Sequence, residues 1–153
     1  MRKILATVAT IGLAGLGVIV AATTAQASTG CDNAWAGATP GYFYAWDGTN
    51  CGGGLLGATD SYDTSYSDIL GVFQGDDTNK ASSIMNRGTS GMAVQVFNGT
   101  GSDWAGGHTC LRRAEYYMSS LSGHTFTSGV SVNNNISSHR WVWDGSCDKF
   151  LDS

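Results

Sequence analysis

Proline, histidine and basic residues are scarce in this 153-residue chain, which has one proline, three histidines and eight lysines and arginines. No two histidines have the spacing of a zinc-ligand pair such as His-x-x-x-His, and no Gly-x-Ser-x-Gly nucleophile motif occurs. Heptads and long helical stripes are also missing. These absences disfavour a zinc enzyme, a serine hydrolase and a coiled coil, and we predict that the protein is not an enzyme.

The first 27 residues have the features of a secretory signal peptide. Arg2 and Lys3 precede an apolar run at 4–22, and residues 25–27 read Ala-Gln-Ala, with small residues at both recognition positions. An uncleaved membrane anchor is the alternative, because the run approaches the ~20 residues that span a bilayer. The Ala-x-Ala site favours cleavage after Ala27, so we expect a secreted, extracellular protein.

The remaining chain, residues 28–153, has the size of one domain. Once Arg2 and Lys3 are removed, six basic residues face twelve acidic ones, a net charge of −6. The basic residues include one doublet, Arg112-Arg113. This balance disfavours nucleic acid and, after signal cleavage, membranes as partners, and we expect a monomer.

Glycine, in contrast, is abundant, with 22 residues, and the apolar residues alternate along short segments. The aromatic run at 42–46 ends in a glycine-dense turn at 52–54, where glycine permits the backbone angles of a tight hairpin. The same pattern predicts a chain that is all-β. The expected strands lie at 42–46, 55–56, 69–73, 81–86, 92–97, 108–111, 130–132 and 137–143.

The hairpin occurs twice, because residues 97–106 repeat the aromatic-to-glycine turn of residues 46–53. The order of the later segments also repeats, which predicts two related units at 41–86 and 92–143 with a linker at 87–91. We expect these Greek-key units to form a β-sandwich in a single domain, 41–153, preceded by an N-terminal extension at 28–40.

The four cysteines all lie in the exported part of the chain, where an oxidising compartment favours disulfides. Four cysteines allow three pairings. We favour Cys31 with Cys51 and Cys110 with Cys147, because each bridge then lies in one half of the chain. A bridge between Cys31 and Cys147 remains an alternative.

The two hairpins resemble those of the βγ-crystallin superfamily, whose units begin with an aromatic residue, a second aromatic five residues later and a glycine two beyond. In the first unit a cysteine replaces the second aromatic, and in the second unit the spacing has a two-residue insertion. The matching residues are Trp46, Cys51 and Gly53, then Phe97, Trp104 and Gly106. The resemblance implies a disulfide-stapled βγ-crystallin-like β-sandwich.

The calcium motif of this superfamily consists of two Asn/Asp residues, two variable residues, Ser/Thr and Ser. Residues 133–138 resemble it at every position, and residues 78–83 resemble it at all positions but the first. The resemblance implies that Asn134 pairs with Ser82 at one site, and Asn79 with Ser137 at the other. Calcium prefers oxygen ligands, so it is the possible cofactor, and none is expected to be required. Because neither motif has a carboxylate and the first contains a lysine, the alternative is that these residues only bond their own turns.

Within the superfamily, the sequence is most similar to secreted Streptomyces-type metalloproteinase inhibitors, through the segments at 41–43, 47–50 and 79–83. This resemblance implies inhibition of an extracellular peptidase by a rigid loop that occludes its cleft. The longest predicted loop is 112–128, with Tyr116, Tyr117 and Met118 as candidates for an apolar pocket. The same residues suit the protein's own core.

A non-inhibitory binding module for calcium, or for cell-wall or fungal polysaccharide, is the alternative function. Aromatic ring faces suit the C–H groups of sugars, although aromatic residues in a small domain are more often core. The candidates for stacking are Trp104, Tyr116, Tyr117, Trp141 and Trp143.

Overall fold

The computed structural model describes residues 28–152. The predicted signal peptide, residues 1–27, lies outside the described residues. Within the described part, no helix has the length and apolar character needed to cross a membrane.

Residues 28–152 contain one short helix and seven short strands. The helix α1, Thr29–Gly37, begins after Ser28, whose hydroxyl oxygen accepts a hydrogen bond from the Cys31 N–H. The strands are β1 Phe43–Trp46, β2 Leu55–Thr59, β3 Ser83–Asn86, β4 Ala93–Phe97, β5 His108–Leu111, β6 Tyr117–Met118 and β7 Ser138–Val142. Short 3-10 turns lie at Gly75–Asp77, Arg113–Glu115 and Asp144–Ser146.

The strands form two antiparallel sheets with the orders β2-β1-β3-β6 and β5-β4-β7. Strand β6 belongs to the second unit yet pairs with β3 of the first. In return, Asp63 of the first unit bridges to His139 in β7, and the Tyr66 N–H donates to the Ser137 carbonyl. Each unit therefore lends a segment to the sheet of the other, and the predicted all-β sandwich of two Greek-key units is confirmed.

Equivalent serines brace the two hairpins. The Ser83 hydroxyl donates to the Gly48 carbonyl at 2.6 Å, and the Ser138 hydroxyl donates to the Gly99 carbonyl at 2.6 Å. The first hairpin is further closed by Asp47, whose Oδ1 accepts from the Gly54 N–H. The same side chain performs the same task in both units, which agrees with the predicted repeat.

The main core lies between the sheets, and a second cluster lies under α1. Strand β1 is buried along its whole length because Phe43 and Ala45 face the main core while Tyr44 and Trp46 face the helix. The extension at 28–40 thus includes a helix that covers the outer face of the first sheet. The main core includes Phe43, Tyr66, Phe73, Ile84, Val94, Val96, Leu111, Met118, Leu121, Phe126, Ile136 and Leu151.

Both disulfides are present with the favoured pairing. Cys31–Cys51 joins α1 to the first hairpin, with a Cα–Cα distance of 4.8 Å. Cys110–Cys147 joins β5 to the 3-10 turn after β7, with a Cα–Cα distance of 6.2 Å. Each bridge therefore fastens a flanking segment to one unit, and neither links the two units.

The predicted strand at 69–73 is wrong, and so is the one at 130–132, which forms no named strand. In the first segment, local hydrogen bonds take the place of a strand ladder. The Asp68 Oδ1 accepts from the Leu70 N–H at 2.7 Å, and the Gln74 side-chain amide donates to the carbonyls of Ile69 and Gly71. We call residues 68–74 the braced loop.

A histidine is buried in the core where the two units meet. The His139 Nε2 lies 3.1 Å from the Ser61 carbonyl, which can only accept, so this nitrogen carries the proton. Its Nδ1 then accepts a hydrogen bond from the Tyr66 hydroxyl at 2.6 Å. Burial lowers the pKa of His139 to about 3, so the imidazole is neutral in the folded protein near pH 7.

Candidate functional site

The two Asn/Ser motifs lie in turns just before β3 and β7. Asn79 and Asn134 have φ values of 58° and 57°, in the left-handed region that asparagine tolerates better than most residues. Each backbone crosses to the other unit, since the Asn79 N–H donates to the Ile136 carbonyl and the Asn134 N–H to the Ala81 carbonyl, both at 2.9 Å. The two turns are thus related by the same repeat as the hairpins.

The side chains of these turns also cross between units. The Ser137 hydroxyl donates to the Asn79 Oδ1 at 2.9 Å, and the Ser82 hydroxyl donates to the Asn134 Oδ1 at 3.1 Å. The structure therefore brings together the two pairs that the resemblance implies. We call them the Asn79 pair and the Asn134 pair.

The oxygens of each pair lie at hydrogen-bonding distance, 2.9 Å and 3.1 Å, which two ligands of one calcium ion can also have. Two oxygens that each lie about 2.4 Å from one ion are roughly 3 Å apart at neighbouring coordination positions, as they are here. The asparagines are exposed and the serines buried, so each pair lies where water can complete a coordination shell. The Asn79 pair has a further oxygen, because the Thr78 hydroxyl donates to the Ser137 Oγ at 3.2 Å.

The charges around the two pairs would give a calcium site there only weak affinity. Neither motif supplies a carboxylate, and among residues 28–152 no group of three or more His, Cys, Asp or Glu side chains could hold a metal ion. Lys80 lies within the first motif, and its Nζ is 3.9 Å from Asp76, so part of its charge is compensated. The Asn134 pair has no cation inside its motif.

The predicted inhibitory loop at 112–128 does not stand out from the scaffold. Met118 is fully buried in the core, and Tyr117 forms part of β6, where its hydroxyl donates to Asp32 at 2.7 Å. Only Tyr116 is exposed, at 51% of its surface. The exposure expected for Met118 is wrong, and the alternative of core packing holds for it, because the first sheet uses residues 117–118 as its fourth strand. Tyr117 is half-buried.

The sequence did not predict a groove between the linker and the 3-10 turn at Arg113–Glu115. Its volume is about 670 Å³, and its lining includes Gly88, Thr89, Arg113, Tyr116 and Asp144. A smaller hollow of about 240 Å³ shares Gly88 and Thr89 with it and reaches Trp141. The basic doublet at 112–113 was the available signal, but only the fold brings it to the linker.

The five candidate stacking aromatics are dispersed by the fold. Trp143 and Tyr116 are exposed, Tyr117 lies in β6, and Trp141 lines the smaller hollow. Trp104 packs on Phe97 with a centroid distance of 5.1 Å. Only Tyr116 and Trp141 lie on adjoining cavities, through the two residues that these cavities share.

Comparisons with known proteins concern the fold. No family model and no curated protein matches the chain. A structure from work on the evolution of the eye-lens βγ-crystallin domain fold is 14% identical, with a TM-score of 0.49, covering 69% of this chain and 89% of that one. A βγ-crystallin from an archaeon is 19% identical, with a TM-score of 0.46, covering 68% and 100%. Membership of the peptidase-inhibitor family remains a prediction.

Proposed function

We propose that the protein is a secreted, disulfide-stapled module that binds calcium at the Asn79 and Asn134 pairs. The observation that supports this function is the crossing of both pairs between units, which puts an asparagine and a serine oxygen close enough to share one ion. A bound ion would supply positive charge to oxygens of both units at once. The role of the chain's own residues is to hold those oxygens in place, which the left-handed asparagines do in both turns.

The Asn134 pair is proposed as the stronger site. Lys80 places a positive charge inside the other motif, and like charge opposes cation binding even when partly screened. Without carboxylates both sites belong to the weak class, with dissociation constants of about 10⁻⁴–10⁻³ M. Such affinities are typical of extracellular calcium-binding modules.

Calcium is expected to raise the melting temperature. At ten times its dissociation constant, a ligand that binds only the native state adds about 1.4 kcal/mol per site, which is roughly 5 °C for a domain of this size. The measurement is calorimetry of the protein from residue 28 onward, in 10 mM calcium and in chelator. Asn134→Gly removes the side-chain oxygen but keeps the positive φ, so it should abolish about half or more of the shift.

Asn50→Gly is the matched control, since Asn50 also has a φ of 58° and lies in a turn outside both motifs. Calcium should raise the melting temperature of this variant by the same amount as that of the unchanged protein. Equal melting temperatures with calcium and with chelator would refute the proposal. A full calcium shift in the protein carrying both Asn79→Gly and Asn134→Gly would refute these residues as ligands.

A second candidate function, peptidase inhibition, is supported by the braced loop. Ile69 and Leu70 are 84% and 70% exposed at its tip, while Phe73 anchors it in the core. Two adjacent exposed aliphatic residues on a loop held by its own hydrogen bonds suit an apolar specificity pocket. Because the loop is already ordered, little conformational entropy is lost on binding. We therefore propose residues 68–74, rather than 116–118, as the inhibitory segment.

The substitution Leu70→Asp is expected to weaken inhibition at least tenfold, because a charge would have to enter an apolar pocket. The inhibition constant is measured against a panel of secreted metallopeptidases and serine peptidases. Val130→Asp, at an exposed apolar residue outside the braced loop, is the control and should leave inhibition unchanged. An absence of inhibition at 10 μM (roughly 7 kcal/mol of binding) across the panel would refute this function.

A further inference from the structure

The groove beside the linker is separate from the two calcium pairs and from the braced loop. Its volume of about 670 Å³ lies within the range of small-molecule binding sites. Gly88 lies where the groove and the smaller hollow meet. A Cβ at this residue would be 2.7 Å from the Trp141 ring and 2.9 Å from the Asn86 Oδ1, so only glycine fits there. The two cavities adjoin there, since Gly88 and Thr89 line both of them.

Tyr116 presents its ring to this groove from an unusual backbone conformation. Its φ of 62° and ψ of −58° fall in the rare, strained γ-turn region. The surroundings hold it there, because the Asn86 N–H donates to the Tyr116 carbonyl at 2.8 Å and the ring packs edge-on against Trp35 at 4.9 Å. Strain of this kind is concentrated at functional sites, and this makes the exposed Tyr116 a candidate binding residue of the groove.

Arg113 supplies a positive charge that the described chain leaves without an acidic partner. Its Nε donates to the Gly88 carbonyl, and its guanidinium lies over the rings of Trp35 at 4.8 Å and Tyr116 at 5.2 Å. Within residues 28–152 no salt bridge joins it to a carboxylate. Arg112, its neighbour, pairs with both Asp144 and Asp152. The groove thus offers one guanidinium with no carboxylate partner among residues 28–152, and this local charge would have to hold an anionic ligand against the net negative charge of the chain.

We propose that this groove binds a uronic-acid polysaccharide, with a sugar ring on Tyr116 and its carboxylate on Arg113. A guanidinium forms paired hydrogen bonds with a planar carboxylate, and an aromatic face suits the C–H groups of a sugar. Asp144 and Thr89 also line the groove and provide an acceptor and a hydroxyl for sugar hydroxyl groups. A neutral sugar would leave the charge of Arg113 unused.

The two adjoining cavities favour a repeating chain over a single sugar. Each contains an aromatic residue, Tyr116 in the groove and Trp141 in the smaller hollow. A polymer presents the same ring and carboxylate at regular intervals, so neighbouring units can occupy both cavities. An acidic peptide would offer carboxylates without sugar rings. It is the alternative ligand that the experiment has to distinguish from the polysaccharide.

The test is calorimetric titration of the protein from residue 28 onward with a galacturonate oligomer of about six sugars. Chelator is present throughout, so the result does not depend on calcium binding. We expect saturable binding that is at least tenfold tighter than that of a neutral cello-oligosaccharide of equal length. Arg113→Met should remove this preference for the acidic oligomer. Tyr116→Gly should weaken the binding of both oligosaccharides tenfold or more.

Stability measurements separate a binding role from a structural one. Tyr116→Gly removes the strain of a positive φ, so its melting temperature should be unchanged or higher while its binding is lost. Tyr62→Ala, at an exposed tyrosine outside the groove, should bind as the unchanged protein does. The proposal is overturned by an absence of binding at 5 mM oligomer, by normal binding in Tyr116→Gly, or by equal affinity for a hexaglutamate peptide.

Discussion

Acidification from pH 7 to pH 4.5 is expected to lower the free energy of unfolding by roughly 3 kcal/mol through His139 alone. The pKa of this imidazole is about 3 in the folded protein and near 6.5 when unfolded, so between these values only the unfolded state takes up the proton. Stability therefore falls as the pH falls through this window. Burial raises the pKa of Asp63 next to it, which offsets part of the loss at the acidic end.

Urea unfolding at several pH values measures this effect. His139→Gln keeps a hydrogen-bonding side chain that does not titrate, and its stability should be flatter between pH 4.5 and 6.5. Burial also lowers the pKa of His124, so His124→Gln serves as the control and should retain most of the slope. The expectation fails if the stability of the unchanged protein depends on pH no more than that of His139→Gln. It also fails if NMR shows that His139 is protonated in the folded protein at pH 5.

Phe73→Ala is expected to cost about 3–5 kcal/mol of stability, among the largest losses for a core substitution. The Phe73 ring is fully buried and stacks on Tyr66 with a centroid distance of 4.2 Å. Gly57 lies against the same ring, and having no side chain it cannot fill the cavity. Because Phe73 also anchors the braced loop, inhibition of any peptidase should weaken in the same variant.

The matched control for Phe73→Ala is Val72→Ala, at the preceding and half-exposed residue. This substitution should change the free energy of unfolding by no more than about 0.5 kcal/mol, the usual range for surface substitutions. The midpoint of urea unfolding gives both values at one pH. Similar losses in the two variants would show that Phe73 is not the anchor of the loop.

The hairpins and the repeat were predictable because they depend on local sequence. Glycine at 52–54 and the alternation at 42–46 specify a turn and a strand without reference to the rest of the chain. The later segments were predicted less well. The apolar run at 69–73 satisfies a strand pattern, but Gln74 and Asp68 bond its backbone locally, and such competition does not appear in hydrophobic periodicity.

Features that depend on long-range pairing were not predictable from patterns. A two-residue strand such as β6 has no periodicity, so nothing in the sequence placed Met118 beside Ile84. The pairing of Asn79 with Ser137 came from the family resemblance, because 58 residues separate them. Arg113 was visible as half of a basic doublet, but its place beside the linker follows only from the fold.

The exchange of segments between units has a consequence for any half of this protein. A chain ending at residue 86 would lack β6, and β3 would become the edge of its sheet. An open edge is a template for pairing with another chain, so a second copy of the half would be drawn to it and aggregation or domain swapping would follow. In the full-length chain the other unit covers that edge, which makes the repeat itself a protection against self-association.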